Sequence, residues 1–209
     1  MNTNYHKLCL EEISKLDNPK KILLHSCCAP CSSYVITFLS NYFDITILYY
    51  NPNISPKEEY EKRKEEQIRL IKTLKTKSKL NFLDCDYENN LYDQSVIGYE
   101  KQPEGGSRCH ICFNLRLEKT AKLAKQHNYD YFCSTLTVSP HKNSQIINKI
   151  GENTSKKYNI KWLYSDFKKN EGFKQSIELS KKYNLYRQDY CGCIYSKKER
   201  ENQDLTYSN

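Results

Sequence analysis

Ten cysteines in 209 residues are the side chains best suited to chemistry, and most of them fall into three short groups. The first is His25-Ser26-Cys27-Cys28-Ala29-Pro30-Cys31. Successive residues of a regular strand point to opposite faces, so Cys27 and Cys28 can serve one site only where the backbone bends. Pro30 suits the first turn of a following helix, whose N-terminal dipole favours thiolate over thiol. Buried cysteines packing as small apolar groups would be the plainer account, and three of them this close together argue against it.

The second group is Arg108-Cys109-His110-Ile111-Cys112. Residues three apart share a helix face, so both sulfurs can reach one metal or cluster. A CxxC on its own serves zinc, a redox dithiol or an iron–sulfur centre equally well. Two pairs of thiolates make four ligands, which suits tetrahedral zinc or a four-iron cluster. The third group is Tyr190-Cys191-Gly192-Cys193. Cysteines two apart project the same way from an extended segment, and Gly192 admits backbone angles closed to other residues. A disulfide across so small a loop is easily reduced, which suits a catalytic couple; the pair could equally hold an extra metal. Cys133 reads as core, Cys9 as surface or helix packing, and Cys85, between Asp84 and Asp86, has no assigned role. The five histidines form no HxxxH pattern.

Something must bring these groups together. An amphipathic helix over Tyr5–Leu16 precedes a buried strand at Lys21–His25, a helix at Pro30–Tyr42 and a second strand at Ile45–Tyr50. A long charged helix, Pro56–Lys77, follows, with Tyr60, Ile68, Leu70, Ile71 and Leu74 as its packing residues, and then a strand at Leu80–Leu83. After Gly105-Gly106 come a helix over Ser107–His127, a strand at Tyr129–Thr135, and helices at Ser144–Tyr158 and Phe173–Tyr183, then an irregular tail. Strands alternating with helices predict a single α/β domain over 1–209, with a mainly parallel sheet flanked by helices and a C-terminal extension (165–209) carrying the CGC pair. In such sheets ligands sit beyond the carboxyl ends of the strands, where the first cysteine group lies. Two other loops there stay open: Asn51-Pro52-Asn53-Ile54 either binds a ligand or ends a strand, and Thr135–Lys142 either contacts phosphate or caps a helix.

Composition narrows the setting. The apolar share of 38% supports a core, and runs such as Ile45–Tyr50 are far too short to cross a bilayer. The N-terminal residues lack an apolar signal region, so the expectation is a cytoplasmic protein whose thiols are metal or redox groups and not a disulfide framework. A membrane protein and a secreted disulfide scaffold are excluded at this stage. The net charge of +8 fits a polyanion such as nucleic acid, and equally a lysine-rich solvated surface.

Taken in order, these pieces resemble the QueH-type epoxyqueuosine reductases: HSCCAPC at 25–31, NPNI with Tyr60 and Arg63, EGGSRCHICFNLRLEKTA at 104–121, STLTVSPHKN at 134–143, DFKKNEGF at 166–173 and LYRQDYCGC at 185–193. The resemblance implies a fold related to PP-loop and HUP domains and a [4Fe-4S] cluster held by Cys27, Cys28, Cys109 and Cys112. It implies redox-active roles for Cys191 and Cys193, and an additional iron ion beside the cluster held by that pair and Cys31. The implied reaction is the reduction of epoxyqueuosine to queuosine at the anticodon wobble position of tRNA, with an external low-potential electron donor. Two rivals remain. An ATP-dependent PP-loop tRNA-modifying enzyme needs a glycine-rich phosphate loop where this chain reads HSCCAPCS. A zinc-stabilised RNA-binding module would use the same cysteines without catalysis.

Overall fold

Lys20–His25 forms the central strand, β1, and Ile22 to His25 are fully buried, as a near-continuous apolar run in a sheet covered on both faces requires. The computed structural model describes residues 2–207, with side chains to residue 202. β1 pairs in parallel with β2 (Phe43–Leu48) on one side and β4 (Tyr131–Ser134) on the other. β3 (Asn81–Leu83) extends the sheet beyond β2, and β5 (Lys161–Trp162) extends it beyond β4. The result is a five-stranded parallel sheet in the order β3-β2-β1-β4-β5.

Alternation along β1 divides the core. Ile22 and Leu24 face one layer, built with α1 (Tyr5–Ile13), α2 (Ala29–Leu39), α3 (Lys57–Thr73) and α7 (Gly172–Lys182). Leu23 faces the other with Phe132 and Trp162, under α5 (Ser107–Gln126) and α6 (Ser144–Tyr158). α7 lies close on α2 because Gly172 has no side chain; a Cβ there would overlap the Phe167 carbonyl and the Tyr34 ring. No helix among the described residues is long and apolar enough to cross a membrane.

The α/β architecture is the one expected, and α6 has the expected bounds. Elements weak in apolar periodicity are the departures. α4 (Asn89–Ser95), a 3₁₀ turn at Thr135–Val138 and the two-residue β5 were not anticipated. The tail is irregular, as expected, only over residues 184–193; Ile194–Tyr207 form α8, a charged helix fastened by the Arg108–Glu199 ion pair at 3.0 Å. The expected extension, 165–209, begins just past β5 and contains α7 and α8; residues 1, 208 and 209 of the expected domain lie outside the described set. Strand order reverses between β1 and β4, so the crevice for a ligand opens beyond their carboxyl ends.

Candidate functional site

The loop after β1 is bent by a buried polar framework. A carbonyl can only accept, so His25 Nε2–H donates to the Tyr50 carbonyl (3.0 Å) and Nδ1 accepts from the Ser134 hydroxyl (2.8 Å). Burial, and then the Arg116 charge, push the His25 pKa down to about 3, so the ring is neutral. Ser26 and Ser32 both donate to Gln67 Oε1, each at 2.6 Å, and Asn51 Nδ2 donates to the Ser26 carbonyl (2.9 Å). Cys28 is then extended (φ −172°, ψ 161°) as the residue leading into α2, with Pro30 in the helix's first turn. The bend brings the sulfurs of Cys27, Cys28 and Cys31 within 4.8 Å of one another. Among the described residues this is the one such group of three metal-ligating side chains. Hydrogen bonds from the Cys28 and Cys31 thiols hold the Cys27 pKa well below that of a free thiol, and the Thr135 hydroxyl, 3.3 Å from its sulfur, adds to the effect. The same bonds raise Cys31, and raise Cys28 to about 12.

Cys109 and Cys112 lie in the first two turns of α5, which opens after Gly105 (φ +86°) and Gly106. Each sulfur accepts a hydrogen bond, Cys109 from the Gly105 N–H (3.2 Å) and Cys112 from Arg116 Nη2 (3.1 Å). Arg116 is itself buried and also donates to Asn51 Oδ1 (3.3 Å), which joins α5 to the loop after β2. Burial pushes the Cys112 thiol up to about 12.

The CGC segment is seated by the loop that sequence reading left open. Ser55 N–H donates to the Gly192 carbonyl (2.9 Å) and Arg63 Nη1 to the Cys191 carbonyl (3.2 Å). Gly192 has φ +133°, and a Cβ there would lie 2.9 Å from Ile54, so the position takes no other residue without strain. The hydroxyl-rich loop after β4 turns its groups inward: Ser134 to His25, Thr135 to Cys27, and Thr137 to Ser165 (3.1 Å). Its helix cap is Asn143, which accepts from Gln145 N–H (2.9 Å). His141 and Lys142 are left facing the crevice.

That crevice is a cleft of about 410 Å³, with Cys28, Cys31 and Cys191 in its wall. A narrower void adjoins it, lined by Cys109, Cys112, Cys191 and Cys193. All seven cysteines of the three groups therefore surround, or stand directly behind, one crevice. Cys27 lies next to Cys28 and Cys31, whereas Cys109 and Cys112 share the adjoining void with the CGC pair. Cys9 and Cys133 are buried in the core and Cys85 is half-buried elsewhere; none of the ten is in a disulfide. Gln67 and Arg116 escaped sequence reading. Their signal was spacing: Gln67 is in register with Tyr60, Arg63, Leu70 and Leu74, and Arg116 lies one turn past Cys112.

Comparison with known proteins adds names to this geometry. The family model "QueH: Epoxyqueuosine reductase QueH" matches residues 22–199. A protein of Streptococcus pyogenes serotype M1 named epoxyqueuosine reductase QueH is 48% identical over 179 residues, 85% of this chain and 70% of its own length. One of the same name from Staphylococcus epidermidis is 45% identical over 200 residues, 92% of this chain and 84% of that protein. The Thermotoga maritima protein so named is 34% identical over 187 residues, 90% of this chain and 95% of its own.

Proposed function

This chain belongs to the epoxyqueuosine reductase QueH family and is an oxidoreductase, and from that premise we propose that its reaction takes place in the cleft between Cys28 and Cys191. The substrate is epoxyqueuosine in tRNA and the product queuosine. Two electrons and two protons enter, both C–O bonds of the epoxide break, an alkene forms and the oxygen leaves as water. The observation that carries the reading is the meeting of three cysteine groups, from the beginning, middle and end of the chain, around a crevice at the strand-order reversal.

The donor set suits a sulfur-ligated cluster. Thiols are abundant, no histidine is offered among the grouped ligands, and the sulfurs receive hydrogen bonds from Thr135, Gly105 and Arg116 of the kind that tune such centres. Cys27, Cys28, Cys109 and Cys112 would hold a [4Fe-4S] cluster, and Cys191 with Cys193 either work as a redox couple or hold an additional iron together with Cys31. When bound, these groups supply electron transfer from an external low-potential donor and Lewis acidity toward the epoxide oxygen. The chain's own residues do the rest. Arg116 and Thr135 set the charge around the sulfurs, and Arg63 and Ser55 hold the CGC backbone in place. The cleft is of the size that takes a small molecule, with room for a wobble nucleoside turned out of the anticodon loop. Arg187 and His141 stand in its wall, where an RNA backbone would pass.

The test is to incubate the anaerobically reconstituted protein with tRNA carrying epoxyqueuosine and a low-potential reductant, then digest the tRNA and analyse its nucleosides. Queuosine in place of epoxyqueuosine is expected. A fully loaded cluster without conversion overturns the reading, and a colourless, zinc-loaded protein that binds RNA points to the non-catalytic module.

A further inference from the structure

Lys142 stands in the wall common to the open cleft and the void behind it. The loop presenting it is held firmly: its N–H donates to the Ser139 carbonyl (3.3 Å), and the next residue, Asn143, caps α6. Three of the cations near the sulfur groups are already committed to other partners. Arg116 is bonded to Cys112 and Asn51, Arg63 to Glu59 and the Cys191 carbonyl, and Arg108 to Glu199 and the Glu100 carbonyl. All three are buried. Lys142 is half-buried, and no described carboxylate pairs with its ammonium. Cys28, Cys31 and Cys191 share the cleft wall with it, and His141 and Glu104 line both cavities beside it.

We propose that Lys142 is a catalytic residue whose ammonium donates a hydrogen bond to the epoxide oxygen of the substrate and stabilises the negative charge that builds there. The assignment rests on the reductase reading above. In the balanced step both C–O bonds break and the C–C single bond becomes double. Two electrons come from two equivalents of an external low-potential one-electron donor, and the oxygen leaves as water with two protons drawn from solvent. Lys142 is unchanged over the cycle. A donor pre-aimed at a developing oxyanion in a water-poor site typically contributes about 10²–10³ in kcat.

The experiment compares wild type with K142M, which keeps length and loses charge, and with K142R, which keeps charge. The readouts are kcat and KM on epoxyqueuosine tRNA, tRNA affinity by gel shift, and iron content of the reconstituted protein. K142M is expected to lower kcat about 10²–10³-fold while KM and tRNA affinity move less than about threefold and iron content stays at the wild-type value. K142R should recover at least about tenfold of that loss. Conversion by K142M within about threefold of wild type overturns the assignment. So does a rate loss accompanied by lost iron, which would make Lys142 a counter-charge that holds the thiol centre together. If K142M does not fold, K142Q and K142R decide, and equal rates for those two overturn it. A wild type that makes no queuosine overturns the reductase reading and this assignment together; an active wild type with an active K142M overturns only the role of Lys142.

Discussion

Cys27 and Cys133 have the same side chain and opposite chemistry, because their neighbours differ. Cys27 has two thiols and a hydroxyl donating toward its sulfur, and its proton is correspondingly easy to lose. Cys133, in β4, donates its own S–H toward the Leu163 carbonyl (3.4 Å), and burial pushes it up to about 12. Cys9 is raised further by burial against the same core. The thiolate is the nucleophile, so neither should react while the protein is folded. Brief iodoacetamide treatment of the metal-free protein at pH 8 is expected to label Cys191, half-exposed in the cleft, and to reach Cys9 and Cys133 only after urea. Peptide mass spectrometry reads this, and labelling of Cys133 at the rate of Cys191 would contradict it. The division of the cysteines into grouped and solitary was legible from spacing alone. That the three sulfurs of the first group come within 4.8 Å of one another was not, because it depends on where α2 begins.

One face of α3 shows how an element can be read for the wrong purpose. Tyr60, Leu70 and Leu74 announce a buried stripe, and Arg63 and Gln67 complete it at the same spacing. Polar side chains join a core only when partners await them, and those partners lie far off in sequence: Ser26 and Ser32 for Gln67, Cys191 for Arg63. Along the same helix Glu66 accepts from the Tyr186 N–H (2.6 Å) and Arg69 donates to the Tyr183 and Asn184 carbonyls (3.0 and 2.9 Å). α3 is thus the dock for residues 183–192. Replacing Arg63 by Met removes the bond to Cys191 and leaves Glu59 without its 2.6 Å partner. The expected cost is about 1–3 kcal/mol, concentrated on that segment. Alkylation of Cys193 should quicken by about 5- to 150-fold, since about 1.4 kcal/mol is a factor of ten, with circular dichroism unchanged. Unchanged protection of Cys193 would contradict the docking role. α8 and β5 were illegible for the converse reason: one is charged throughout and the other is two residues long, so neither shows an apolar period.

At the scale of the whole chain, topology does the assembling. The order β3-β2-β1-β4-β5 sets the loops after β1 and β4 side by side, so Thr135 can reach Cys27 across 108 residues of sequence. α5 then brings Cys109 and Cys112 to the adjoining void, and the segment docked on α3 brings Cys191 and Cys193. Alternating strands and helices foretold a parallel sheet, and the position of HSCCAPC foretold a site at a strand end; which loops would converge there depended on strand order. The central claim is that these three groups form one reaction centre. The direct measurement is queuosine formed from epoxyqueuosine tRNA, under one anaerobic protocol, by single Cys→Ser variants. Cys27, Cys28, Cys109, Cys112, Cys191 and Cys193 are each expected to lose all but about 1% of the wild-type rate, a change of about 2.7 kcal/mol in barrier, while Cys85→Ser stays within about threefold. A variant at any of those six positions that retains half the wild-type rate would contradict the account.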